Sequence, residues 1–179
     1  MSKRILILSS SPRKNGNSDI LCDEFMRGAI ESGNSVEKIR ITEKAIGFCR
    51  ACNACRATGE CVIKDDMQAV LQKIIDADVI VLASPVYFYS VSAQIKTLID
   101  RTYARAREVN NKEFYYILTA ADAELEAVKT AVECFRGYVS CLPGSKEKGI
   151  IYGIGVLKQG DVKSTDKMSE AYEMGKNIK

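Results

Sequence analysis

The sequence predicts a doubly wound α/β protein: a five-stranded parallel sheet with helices on both faces. Three observations predict it. Short, unbroken apolar runs at 5–8 and 79–83 read as strands buried on both sides, and 114–119, FYYILT, reads as a further strand. Between them lie longer stretches whose apolar residues recur at helical spacing. Strand and helix then alternate along the whole chain, as a sheet built from right-handed crossovers requires.

The first run, ILIL, opens the stretch 4–18, RILILSSSPRKNGNS. Three serines, Pro12, Arg13, Gly16, Asn17 and Ser18 cannot extend a strand, so a loop follows. Ser18 is placed to cap a helix with apolar positions Ile20, Leu21, Phe25, Met26 and Ile30, closed by Gly33. Residues 35–41 read as the second strand, and 46–61 as a cysteine-rich loop. Asp65 and Gln68 form an Asp variant of a capping box. Behind them Met67, Val70, Leu71, Ile74 and Ile75 make one helical face. The third strand, 79–83, runs into an aromatic loop at 84–90, SPVYFYS, where Pro85 stops a central strand. A helix is expected over 92–105 and the fourth strand over 114–119. Leu125, Val128, Val132 and Phe135 mark the next helix, and 139–149 reads as a loop. The fifth strand is expected over 150–156, and Met168, Ala171, Tyr172, Gly175 and Ile178 mark a final helix. No linker or repeat divides the chain, so one domain spanning 1–179 is expected.

Composition narrows the function classes. Hydrophobic content of 46% and charged content of 27% are ordinary for a soluble globular protein. A net charge of +3 is too small to argue for nucleic acid. No apolar run approaches the roughly 18 residues that cross a membrane. The basic N-terminus precedes an apolar run far shorter than the roughly 7–15 residues of a signal peptide, so a cytoplasmic location is expected. In a reducing compartment, seven cysteines point to metal or redox chemistry rather than disulfides. With no histidine, a metal site must use thiolate or carboxylate, and no imidazole moves protons.

A strand, a hydroxyl-rich loop and a helix N-terminus in succession make a phosphate cradle. Ser11 and Ser18 can donate to the anion, and Arg13 supplies charge and a planar fork. In such sheets the ligand lies beyond the carboxyl ends of the strands, near the switch in strand order. That gathers the loops 10–18, 84–90 and 119–122. N–H groups of Val86, Tyr87 and Phe88 can then reach polar atoms of a flat heterocycle. G-x-G-x-x-G after the first strand and G-x-x-x-x-G-K-[ST] anywhere are missing, which argues against a tightly held dinucleotide and against a P-loop NTPase.

These residues also carry a resemblance. SSSPRKNGNS resembles the G-S-P-R-x-x-x-N-[ST] first loop of the NADPH-dependent FMN reductases, a group of flavodoxin-like proteins, with Ser10 where many members have Gly. SPVYF followed by VSAQIKTLIDR is similar to the second flavin loop and its helix in that family. The resemblance implies a flavodoxin-like strand order 2-1-3-4-5 and FMN as cofactor. It implies that Ser11, Arg13, Asn17 and Ser18 hold the phosphate, with Pro85, Val86, Tyr87 and Phe88 along the ring and Thr119 from the third loop. Lys96, Asp100 and Arg101 fall to structural or interface roles, and no side chain is singled out as an acid–base catalyst. The implied activity is that of an oxidoreductase: NAD(P)H gives hydride to the flavin, and electrons pass to a flavin, a quinone, a cluster or a protein partner. A homodimer or tetramer is implied, with no nucleic-acid or membrane partner.

Cys49, Cys52, Cys55 and Cys61 form C-x2-C-x2-C-x5-C. Thiols at this spacing can converge, and four thiolates suit a [4Fe–4S] cluster. Zinc more often takes two C-x2-C pairs separated by a longer span. Arg50 and Arg56 can offset the cluster's charge. The spacing resembles that of the iron–sulfur flavoproteins, a branch of the same family in which the cluster relays electrons to and from FMN. A cluster, free or oxidised thiols, and zinc all stay open here. So do three functions: a nicotinamide-dependent FMN reductase, an electron-carrying iron–sulfur flavoprotein without nicotinamide activity, and a zinc-stabilised binding domain. Cys22, Cys134 and Cys141 lie outside the motif; the first two fall on expected helices and read as small buried hydrophobes.

Overall fold

The computed structural model describes residues 2–179. Its sheet has β1 (Arg4–Ser9), β3 (Val79–Tyr87) and β5 (Glu113–Thr119) at the centre and β2 (Ser35–Arg40) and β6 (Lys146–Gly153) at the edges. All five run parallel in the order β2-β1-β3-β5-β6. Counted along the chain, these long strands have the expected order 2-1-3-4-5. A two-residue strand, β4 (Ser90–Val91), turns back antiparallel on the end of β3 and brings the sheet to six.

Because side chains alternate across a strand, the sheet feeds two cores. Leu6, Leu8, Ile80, Leu82, Phe114, Tyr116 and Leu118 pack under α3 (Met67–Asp76), α4 (Ala93–Arg101) and α5 (Glu126–Ser140). Ile5, Ile7, Val79, Val81, Tyr115 and Ile117 pack under α1 (Asn17–Glu31) and α6 (Lys167–Lys176). Helices α1 and α6 meet backbone to backbone. A Cβ on Gly28 would lie 2.0 Å from the Tyr172 carbonyl oxygen, and one on Gly175 would lie 2.0 Å from that of Phe25. Only glycine permits this crossing.

Several expected boundaries are corrected. The strand before the aromatic loop does not stop at 83 but continues through Pro85 to Tyr87. β1 ends opposite Ala83 and β4 pairs only with Val86 and Tyr87, so at Pro85 itself β3 is paired with β5 alone and the missing proline N–H interrupts no second ladder. The helix expected over 92–105 is regular only to Arg101; a tighter 3₁₀ segment follows over Thr102–Glu108, kinked at Arg105. The last strand begins at Lys146, inside the expected loop, because an edge strand carries lysines and glutamate readily. Asp65 does not form the expected box with Gln68: Asp66 holds the N-cap position, and the Asp65 carboxylate accepts the N–H of Met67, the first residue of α3, together with the Gly47 N–H and the Arg101 guanidinium.

Candidate functional site

The first loop, the end of β3, the end of β5 and the segment after β6 enclose a concavity of about 150 Å³ at the carboxyl end of the sheet. It is lined by Ser11, Arg13, Gly16, Asn17, Ser18, Pro85, Val86, Tyr87, Thr119 and Ala121, all from the three loops the sequence gathers, and by Val156 and Leu157, which the sequence does not point to the site. Complete small-molecule pockets run to about 300–1,000 Å³, so this one is sized for an end group rather than for a whole cofactor.

The local chemistry suits an anion. Ile20 N–H bonds to Gly16 O, so the N–H groups of Asn17, Ser18 and Asp19 precede the first bond of the helix ladder and have no partner within it. Gly16, not Ser18, occupies the N-cap position. Its role is close approach: a Cβ there would stand 2.6 Å from Ser11 Oγ and fill the cradle floor. Ser18, one turn position further in, is buried, and its hydroxyl has no hydrogen-bond partner among the described residues. A buried hydroxyl without a partner is costly, and a ligand oxygen beside it would supply one.

The remaining assigned residues divide. Ser11 Oγ accepts the Arg13 N–H at 3.2 Å and so braces the loop from within. Arg13 is exposed and reaches only the Leu157 carbonyl, at 3.3 Å, leaving most of its guanidinium open to an anion. The Asn17 side chain is engaged elsewhere. Its amide donates to the Lys158 carbonyl at 2.9 Å, and its oxygen accepts the N–H of Gly160 at 3.0 Å and of Val162. Asn17 thus staples the 156–162 segment onto α1, and what it leaves to the cradle is a backbone N–H. Ser10, where many relatives of the resembled family carry Gly, bonds to the Ala83 carbonyl and accepts from Ser92 Oγ, both at 2.8 Å. Its hydroxyl ties the first loop to the base of the hairpin.

Phe88 is the exception among the ring-loop residues. It does not line the concavity; it sits fully exposed at the hairpin tip. Phe88 and Tyr89 both adopt left-handed φ, 48° and 61°. This two-residue turn is normally given to Asn-Gly, so the tip stores backbone strain.

The four motif cysteines do not form a gathered metal site: among the described residues, no three Cys, Asp or Glu groups stand close enough to hold an ion. They nevertheless line one apolar concavity of about 530 Å³, together with Ile99, Tyr103, Tyr138 and Cys141. Left-handed φ at Ala51 and Asn53 curls the C-x2-C-x2-C backbone, and a single helical turn, α2 (Cys55–Thr58), ends on Gly59. In donor type, four thiols in a chain without histidine fit a thiolate cluster. Their present spacing does not, and the loop would have to close to gather them. Arg101 pins the loop's base: its guanidinium donates to Gly47 O at 2.6 Å and to both Asp65 oxygens at 2.7 and 2.9 Å. The cysteines lie at the C-terminal end of α4 and the hairpin at its N-terminal end, a rise of about 13 Å for nine residues. Cys22 is the opposite kind of thiol: fully buried, it is pushed up in pKa by desolvation and stays protonated.

Fold and cradle together define a doubly wound α/β protein with an open cradle at its topological switch. The chain belongs to the NADPH-dependent FMN reductase family, whose profile matches residues 3–145. An iron-sulfur flavoprotein of Archaeoglobus fulgidus is 45% identical over 91 residues, 51% of this chain and 41% of that one. Another, of Methanocaldococcus jannaschii, is 41% identical over 99 residues, 55% of this chain and 51% of that one. The chain therefore spans about half the length of these curated relatives. The NAD(P)H:quinone oxidoreductase of Methanothermobacter marburgensis shares the fold, with a TM-score of 0.73 over 99% of this chain and 97% of that one, at 17% identity. No helix among the described residues is long and apolar enough to cross a membrane.

Proposed function

We propose that this chain binds FMN and acts as an oxidoreductase, taking reducing equivalents from NAD(P)H and passing them to a flavin- or quinone-type acceptor. The observation that carries the reading is the cradle: free helix N–H groups, an unpartnered buried Ser18 hydroxyl and a Gly16 floor, in a chain of the FMN reductase family. When bound, FMN supplies the hydride and electron chemistry. The chain's own residues bind and orient. Ser18, the N–H groups of Asn17–Asp19 and the Arg13 guanidinium take the phosphate. Pro85, Val86 and Tyr87 offer the ring an apolar edge, and Thr119 closes the far wall. Ser18→Ala is expected to weaken FMN by about 1.5–3 kcal/mol while leaving riboflavin unchanged, since only FMN carries the phosphate. Equal losses for both ligands, read by flavin fluorescence titration, would move the phosphate elsewhere.

The same reading gives Cys49, Cys52, Cys55 and Cys61 a [4Fe–4S] cluster, which when bound supplies one-electron capacity. Its support is the shared concavity, the donor type and relatives named iron-sulfur flavoprotein. Anaerobic protein is expected to hold about four iron and four sulfide per FMN. Serine at any of the four positions is expected to lose them while FMN stays; Cys22→Ser is expected to keep both. Wild type that retains FMN but takes up neither iron nor sulfide on reconstitution would leave a simple reductase with a thiol-bearing loop. Stoichiometric zinc would make the loop a structural clip.

A further inference from the structure

We propose that Asp19 is a positioning residue for the phosphate loop, an inference that rests on reading the first loop as the FMN phosphate site. Asp19 is the third residue of α1, and its carboxylate is 1% exposed. One oxygen accepts the Ser9 hydroxyl at 2.9 Å and the Lys38 ammonium at 3.2 Å. The other accepts the Asn15 N–H at 3.0 Å and lies 3.8 Å from the Arg40 guanidinium, whose buried Nε has no hydrogen-bond partner. Lys38 is shared with Asp23, and Arg40 with Glu43. One buried carboxylate thus joins the end of β1, the phosphate loop and strand β2.

An acid in the first turn of a helix is commonplace, because it complements the helix dipole. Two features separate Asp19 from that role. It contacts Asn15 rather than the helix-end N–H groups it would otherwise cap, and Asn15 holds a left-handed φ of 57° immediately before the cradle glycine. Asparagine enters that conformation more readily than other non-glycine residues, but it holds a single such conformation only where its surroundings fix it. The Asp19 carboxylate is such a fixture, and the Arg13–Gly16 turn, closed at 3.0 Å, is built on it. It also opposes the ligand: a negative charge beneath a phosphate site repels phosphate. Coulomb's law alone therefore predicts that removing the charge tightens FMN, whereas positioning predicts the reverse, since an unbraced loop must be ordered on binding. The sign of the effect decides.

The experiment compares FMN and riboflavin affinity in wild type, Asp19→Asn and Asp19→Glu. Asp19→Asn is expected to weaken FMN on the order of tenfold or more, the worth of a charge-assisted hydrogen bond, with riboflavin unaffected. Asp19→Glu keeps a negative charge beside Lys38 and Arg40 but moves the oxygens, and is expected to weaken FMN selectively too; it supplies the test where Asp19→Asn does not fold. Tighter FMN binding in Asp19→Asn would overturn the proposal in favour of plain repulsion. Equal weakening of both flavins would overturn it in favour of general destabilisation. Unchanged FMN selectivity in both variants would overturn it while leaving the phosphate-loop reading intact. A wild type that binds riboflavin as tightly as FMN would overturn the loop reading and this inference with it.

Discussion

Arg101→Met is expected to cost about 3–5 kcal/mol of folding stability, the usual penalty for breaking a buried ion pair from one side. The Arg101 side chain is 1% exposed and that of Asp65 is 11% exposed, so neither charge is screened well by water. Methionine fills much of the volume but leaves Asp65 without its fork and the carbonyls of Gly47 and Ile63 without a donor. Burial works against the Asp65 carboxylate, yet bonds from Arg101, the Gly47 N–H and the Met67 N–H overcome it and hold the carboxyl below its ordinary pKa. The sign follows. A depressed carboxyl contributes stability above its unfolded pKa of about 4 and loses it as pH falls through the lower folded value. Urea midpoints of wild type should therefore fall with acid more steeply than those of Arg101→Met. Arg101→Lys should recover only part of the loss, because an ammonium cannot make the two-pronged contact. Parallel pH profiles would return this pair to an ordinary surface bridge.

The second large effect is expected at the α1–α6 crossing. On an isolated helix, Gly28→Ala would help by about 1 kcal/mol. Here the added Cβ meets the Tyr172 carbonyl at 2.0 Å and the Lys176 nitrogen at 2.9 Å, backbone atoms that move only if a whole helix moves. Overpacking typically costs about 1–3 kcal/mol, and a rigid backbone contact this short belongs at or beyond the upper end. Strain therefore outweighs propensity, and the variant should unfold at distinctly lower urea concentration. Gly175→Ala, which meets the Phe25 carbonyl at the same distance, should behave alike. A stabilised Gly28→Ala protein would refute this account of the crossing.

The strands were readable because each central one contains a run of at least four consecutive apolar residues, and helix faces such as Met67, Val70, Leu71 and Ile74 repeat at the right interval. The cradle was readable where its residues lie together in sequence. Val156 and Leu157 were not, because they reach the site through the Asn17 staple, and Asn17 looks the same in sequence whether it holds a ligand or another loop. The exposure of Phe88 at the hairpin tip was not readable, because nothing local announces a left-handed turn without glycine. The Asp65 capping box failed because a stronger partner, Arg101, arrives from 36 residues away. The cysteine spacing said that four thiols can converge; whether the backbone already gathers them is a matter of φ angles that spacing does not encode.

The crossing of α1 and α6 also orders events in time. Glu31 on α1 and Lys176 on α6 are bridged across 145 positions of chain. A ribosome adding roughly 5–20 residues per second needs about 7–30 s to make that stretch. During that interval Phe25 can meet Tyr115 of β5, but the Gly28 face of α1 lacks the helix that packs on it, so the first loop at the head of α1 stands on an unfinished support. The α1–α6 crossing is accordingly among the last contacts to form as the chain is made.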